Sequence, residues 1–205
     1  MVGFLFCINY FVSSYLKPIG PQQAAQKIEQ TKETEKPLLP WMPKAPEAPA
    51  LPCHIAKAQS YIGIKETKTN GGPEIDTFLN WAGLGTGHYW CAASGGFIFS
   101  SCGIKVPKSA WCPTYFTPEH IVYKRNKTDW PKIDQNKAGY YVGFYYPEKK
   151  RIAHMGILED KPDQSEYVTT LEGNTSGNDG GRDGDGFYRK KRNIKTVYQI
   201  SQYNY

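Results

Sequence analysis

Tyr89-Trp90-Cys91-Ala92-Ala93-Ser94-Gly95-Gly96-Phe97-Ile98-Phe99 is the stretch on which the reading of this chain turns. Counted from Cys91, residues Gly95, Ile98, Phe99 and Cys102 fall at i+4, i+7, i+8 and i+11, one face of a helix that Gly103 would stop. Cys91 then sits in the first turn. There the free N–H groups and the positive end of the helix dipole favour thiolate over thiol and so make a better nucleophile. Gly95 and Gly96 each cost about 1 kcal/mol of helix propensity relative to alanine. A helix carrying both is expected to have a neighbour's atoms close against its backbone.

A cysteine is more often a small buried apolar residue than a nucleophile. A catalytic reading needs a base and a group to orient it. Ile152-Ala153-His154-Met155-Gly156-Ile157-Leu158 reads as a strand with His154 opposite Ala153, Met155 and Ile157. Tyr167-Val168-Thr169-Thr170-Leu171-Glu172-Gly173-Asn174 reads as the next, with Val168, Thr170, Glu172 and Asn174 sharing one side. If the two strands are neighbours, Glu172 or Asn174 reaches one ring nitrogen of His154 and the other nitrogen faces the Cys91 sulfur.

Three words in this order and spacing, Trp90-Cys91-Ala92-Ala93, Ala153-His154-Met155-Gly156-Ile157 and Glu172-Gly173-Asn174-Thr175, resemble the CHAP domains (cysteine, histidine-dependent amidohydrolase/peptidase). These belong to the papain-like NlpC/P60 group of bacterial and phage cell-wall hydrolases. The resemblance runs from about Ile55 to the C-terminus. It implies a papain-like α+β fold, with Cys91 as nucleophile, His154 as base, Glu172 as the orienting residue and Asn174 close by. It further implies that the substrate is a peptidoglycan amide, either in the stem peptide or cross-bridge or between muramic acid and the first alanine. In papain-like sites the oxyanion is held by the nucleophile's own N–H and a side chain shortly before it. His88, Tyr89 and Trp90 are therefore candidates for the oxyanion site or the substrate groove. The family usually continues after the Ala-Ala pair with a bulky aromatic and valine, whereas Ser94-Gly95-Gly96 follows here. A non-catalytic envelope-binding module of the same fold, and a thiol amidase acting on another amide, are the two rival readings.

Around this core the 205-residue chain divides into three parts. Residues 1–17 are mostly apolar and end at Lys17, shorter than the ~20 residues of a spanning helix. They read as an export signal or membrane anchor, with a hydrophobic helix docked on a partner as the alternative. Residues 18–52 turn polar and then carry Pro37, Pro40, Pro43, Pro46, Pro49 and Pro52, the three-residue period of a polyproline II spacer. Residues 53–205 form the candidate catalytic domain, of a size that builds a proper core. An exported or anchored envelope location, or a phage-encoded protein delivered to the cell wall, follows from the resemblance and the tethered layout.

Within the domain, Ile55, Ala58 and Ile62 mark a helix ended by Gly63, and Pro73 opens a second with Ile75, Phe78 and Leu79 inward. Residues 103–128 read as an irregular connection. Strands are expected at 140–146, 152–159, 166–172, 187–192 and 197–203. Helices first and strands after argue for an α+β domain with an antiparallel sheet packed on the Cys91 helix.

The formal charge is +6, and the domain holds most of it, 20 Lys and Arg against 15 Asp and Glu, a difference of five. That suits an anionic envelope polymer, and by itself it would suit nucleic acid equally well. Lys149-Lys150-Arg151 and Arg189-Lys190-Lys191-Arg192 read as solvated loops or strand edges, and no nucleic-acid partner is expected. No metal and no cofactor is expected either: the acidic turn at 177–186 lacks EF-hand spacing, and no zinc pattern is present. A monomer is expected. Of the five cysteines, Cys53, Cys102 and Cys112 could supply a disulfide, and Cys102 fits a core position equally well.

Overall fold

The computed structural model describes residues 50–161, 165–177 and 184–205. The expected apolar segment, nearly all of the spacer and most of the acidic turn lie outside the described residues. Among the described residues three α-helices, α1 (Cys53–Ser60), α2 (Pro73–Trp81) and α3 (Cys91–Ser101), precede six strands. The strands are β1 (Ile121–Lys124), β2 (Ala138–Tyr146), β3 (Arg151–Asp160), β4 (Tyr167–Thr175), β5 (Gly186–Asn193) and β6 (Gln199–Asn204). They form one antiparallel sheet in the order β1-β6-β2-β3-β4-β5. The expected α+β class with an antiparallel sheet is what forms.

Both faces of the sheet are covered, which is why β2 is buried along most of its length. Tyr141, Met155, Ile157, Leu171, Phe187 and Tyr203 face the three helices. Tyr140, Val142, Phe144, Leu158, Val168 and Ile200 form a second cluster, closed by Trp130 and Ile133 from the connection before β2. Part of the connection read as irregular is strand β1 at the sheet edge. Four residues, all half-buried, carry too little alternation to stand out in a sequence.

Helix α3 lies against the sheet, and its glycines are where contact is tightest. A Cβ on Gly95 would press on the Tyr141 ring, and one on Gly96 would collide with the Tyr115 hydroxyl and the Trp81 ring. Tyr141 also donates its hydroxyl to the Gly95 carbonyl at 3.0 Å and stacks on Phe99 at 4.1 Å. The propensity lost at the two glycines is offset by this close approach, and a bulky residue after Ser94 has no room.

Helix α2 starts with Pro73 in the first turn as expected, with Glu74 and Asp76 favourably placed against its positive end. Helix α1 ends at Ser60 rather than running to Gly63, so Ile62 is exposed rather than part of the stripe. Of the cysteines considered for a disulfide, Cys53 and Cys102 are joined, tying the start of α1 to the end of α3. Cys112 stays free. The bridge spans a sequence separation of 49 residues, for which loop-closure entropy gives about 4 kcal/mol. Replacing both cysteines by serine is therefore expected to lower unfolding stability by roughly 2–4 kcal/mol in urea titration, with the Cys91 site unchanged.

Candidate functional site

Cys91 is the first residue of α3, so its amide and those of Ala92 and Ala93 have no acceptor within the helix's own ladder. The chain enters the helix through a clamp. Asn174 accepts the Trp90 amide at 3.1 Å, the Trp90 indole donates to Glu66 at 2.9 Å, and Glu66 also accepts the Asn70 amide at 2.7 Å. Asn174 donates in turn to Asn70 and to the Gly184 carbonyl. These bonds hold the residue before Cys91 from three segments of the chain.

Strand β3 supplies His154. Ala153 is an extra residue in the β2–β3 pairing, between the pairs Phe144–His154 and Tyr145–Ile152. This bulge turns Ile152 to the helix side of the sheet, where strict alternation would have set it with His154. The His154 ring stacks on Phe144 at 5.8 Å and is 1 % exposed. Its Nε2 meets Glu172 at 2.8 Å. Nδ1 makes no hydrogen bond with the described residues, yet the ring and the Cys91 sulfur are near enough to shift each other's protonation. Among the other histidines, His54 is engaged by Tyr205 and Gln135, His120 stacks on Tyr203, and His88 is exposed.

Glu172 is fully buried and heavily bonded. Thr170 donates to one carboxylate oxygen, and Arg192 grips both in a two-point fork. Burial alone would neutralise such a carboxyl, but Arg192 and His154 together hold it far below the usual carboxylate range. The His154 imidazole responds in the opposite sense. Burial favours its neutral form, and the Cys91 sulfur and Glu172 outweigh that and push it up to about 9.

Cys91 has a second sulfur beside it. Cys112, the first residue of a one-turn 3₁₀ helix (Cys112–Tyr115), lies with its Sγ 3.6 Å from the Cys91 Sγ. A hydrogen bond from Cys112 is the largest influence on Cys91 and lowers its pKa. Burial opposes this, and His154 and the Met155 amide add to the lowering, so the thiol sits well below its ordinary value. Cys112 moves the other way, held well above its ordinary value by the same contact and by burial. A depressed thiol beside a raised imidazole favours the ion pair Cys91⁻–His154⁺ over the neutral pair, and Glu172⁻ and Arg192⁺ beside it balance in charge.

The arrangement has a definite signature in stability. Taken singly, the raised imidazole contributes fully below its unfolded value of 6.5 and loses that contribution as pH rises to about 9. The depressed thiol contributes fully above its unfolded value of 9.0 and loses that contribution as pH falls through its folded value. Between about 6.5 and 9 the two cancel, because folded and unfolded pairs each hold one proton. Below about 6.5 the unfolded pair takes a second proton that the folded pair resists. Glu172, depressed from 4.5, loses its contribution in the same direction at lower pH. Urea unfolding is thus expected to give a plateau from about pH 6.5 to 9 and a fall towards pH 4, and a slope across the plateau would contradict the ion pair.

A cavity of about 400 Å³ opens beside Cys91, lined by His88, Tyr89, Lys108, Trp111, Cys112 and Arg151 among others. Trp111 is 52 % exposed and carries the Arg151 guanidinium 3.7 Å above its ring. Lys108 and Arg151 are cationic, and none of the lining residues is a carboxylate.

The structure therefore brings Cys91, His154 and Glu172 together and separates Asn174 from them. At φ 55°, beside a shift in the β4–β5 register, Asn174 leaves the alternation and turns to the clamp at Trp90. Trp90 is no oxyanion donor, because its indole is buried and bonded to Glu66. His88 and Tyr89 lie on the cavity wall instead. Cys112, Thr170, Glu66 and Arg192 were not legible as site residues. No signal in the sequence singles out Arg192: the pairing that sets it opposite Val168 on β4 is what brings its guanidinium to the buried Glu172. Comparisons with protein-family models, curated proteins and solved structures gave no match.

Proposed function

We propose that this chain is a cysteine amidohydrolase of the papain-like CHAP type, cleaving an amide bond of peptidoglycan. The observation that carries this reading is the buried relay in which Glu172 binds His154 Nε2 at 2.8 Å and leaves Nδ1 for the Cys91 side. The Cys91 thiolate attacks the amide carbonyl, and the oxyanion forms beside the Cys91 amide at the positive end of α3. His154⁺ passes its proton to the departing amine. The neutral imidazole then draws a proton from water as it attacks the thioester, which releases the carboxylate and restores the thiolate. Glu172, kept ionised by Arg192, holds the ring in orientation and favours its charged form. Activity should consequently decline above about pH 9, where His154 no longer carries a proton to donate.

Several features support an envelope substrate. The cavity beside the sulfur presents Lys108 and Arg151 and no lining carboxylate, which suits a substrate bearing carboxylates. The Cys53–Cys102 bridge is consistent with an oxidising compartment outside the cytosol. Among the described residues no helix is long and apolar enough to cross a membrane, so the proposed tether rests on residues 1–17. Incubation with purified sacculi, followed by mass analysis of the released fragments, tests the reading. New amine and carboxylate ends at one bond type are expected, and intact sacculi would reject the reading.

A further inference from the structure

We propose that Cys112 is a second working thiol of this site: its S–H positions the Cys91 sulfur in the reduced protein, and it resolves the adduct formed when Cys91 meets a small-molecule disulfide. The two sulfurs lie 3.6 Å apart, both residues are buried, and both line the cavity through which a small reagent would arrive. No other pair of free cysteines exists among the described residues. A sulfur at this range from a thiolate is a hydrogen-bond donor in place. The groups that face the pair are His154, Arg151 and the Met155 amide from β3, and the Tyr115 hydroxyl from the turn that carries Cys112. The first three favour negative charge on the sulfurs, and Cys112 is the one side chain outside the His154 relay that brings a proton to Cys91, beside the Met155 backbone amide.

The same proximity has an oxidative consequence. An S–S bond is about 2.05 Å long, so the sulfurs must close by roughly 1.5 Å. Cys112 stands on a one-turn 3₁₀ helix, a smaller element to shift than α3. In the first step the Cys91 thiolate attacks a disulfide RS–SR, forming Cys91–S–SR and releasing RS⁻. In the second, the Cys112 sulfur attacks the Cys91 sulfur and expels the second RS⁻, which takes the Cys112 proton. The first RS⁻ takes its proton from water, so the Cys91 thiolate and the Cys112 thiol are oxidised to one disulfide while one small-molecule disulfide is reduced to two thiols. Cys91 is thereby shielded from irreversible oxidation and recovered by thiol reductants.

The inference rests on Cys91 being the reactive thiolate, but its readouts need no substrate, so it can fail while the hydrolase reading stands, or the reverse. The full-length protein and its Cys112→Ser and Cys112→Ala variants are alkylated with iodoacetamide across pH, following Cys91 by peptide mass. Cys112→Ala is expected to react about tenfold more slowly at the acid end, and Cys112→Ser, which keeps a donor, to recover much of the loss. Superimposable profiles for the three proteins would overturn the positioning role. Treatment with hydroxyethyl disulfide is expected to give a Cys91–Cys112 cross-linked peptide in the parent protein and a stable Cys91 adduct in Cys112→Ser. A persistent Cys91 adduct in the parent, with Cys112 still alkylated after denaturation, would overturn the resolving role.

Discussion

Cys91→Ala is expected to lower amide cleavage of sacculi by about 10⁴-fold or more while leaving the fold in place. The size follows from the chemistry. Without the sulfur no thioester forms, and the remaining groups offer only an oxyanion site and binding. Stability should change little, because the substitution keeps a good helix former at the start of α3 and removes one atom beside an open cavity. His154 loses one of the two partners that raise its pKa, so its protonation should retreat towards the ordinary range. Fragment release measured by mass, with thermal unfolding as the control for folding, decides the matter. Turnover equal to that of the parent would remove Cys91 from the role of nucleophile.

The second large effect is expected at Arg192. Its guanidinium is the fork that holds Glu172, whose carboxylate has no exposure to solvent. Arg192→Met leaves a buried carboxylate with only His154 and Thr170, and removing one partner of such a pair costs about 3–5 kcal/mol. The loss should appear in urea unfolding at pH 7, together with weakened alkylation of Cys91, because the relay from Glu172 through His154 to the sulfur is disturbed. Combining Arg192→Met with Glu172→Gln removes both charges and should recover part of the stability but none of the activity. A strictly additive double variant would mean that the two side chains are not coupled.

The two legible halves of the site were legible for different reasons. Cys91 was found because a helical face and a helix start are local properties, set by spacing over eleven residues and by two glycines that need a close neighbour. Strand alternation set His154 on one face and put Glu172 and Asn174 together on another, and the resemblance to the CHAP domains pointed to Glu172. Asn174 was misplaced by the same rule: one residue with positive φ and a shifted register break the alternation, and neither leaves a mark in composition. Arg192 sat inside a run of four basic residues that looked solvated, and only the pairing of β5 with β4 sets it against a buried carboxylate.

Local pattern, then, was enough for the class of fold, the helix that opens on Cys91 and the strand faces that carry His154 and Glu172. Folding in three dimensions chose Glu172 over Asn174, set Cys53 against Cys102, and delivered Cys112 to within 3.6 Å of the Cys91 sulfur from 21 residues away. The division has a physical origin. Periodicity reports which way a side chain leaves its own backbone, whereas the partner it meets depends on strand register, bulges and the path of irregular segments, which are settled only when the sheet and helices pack.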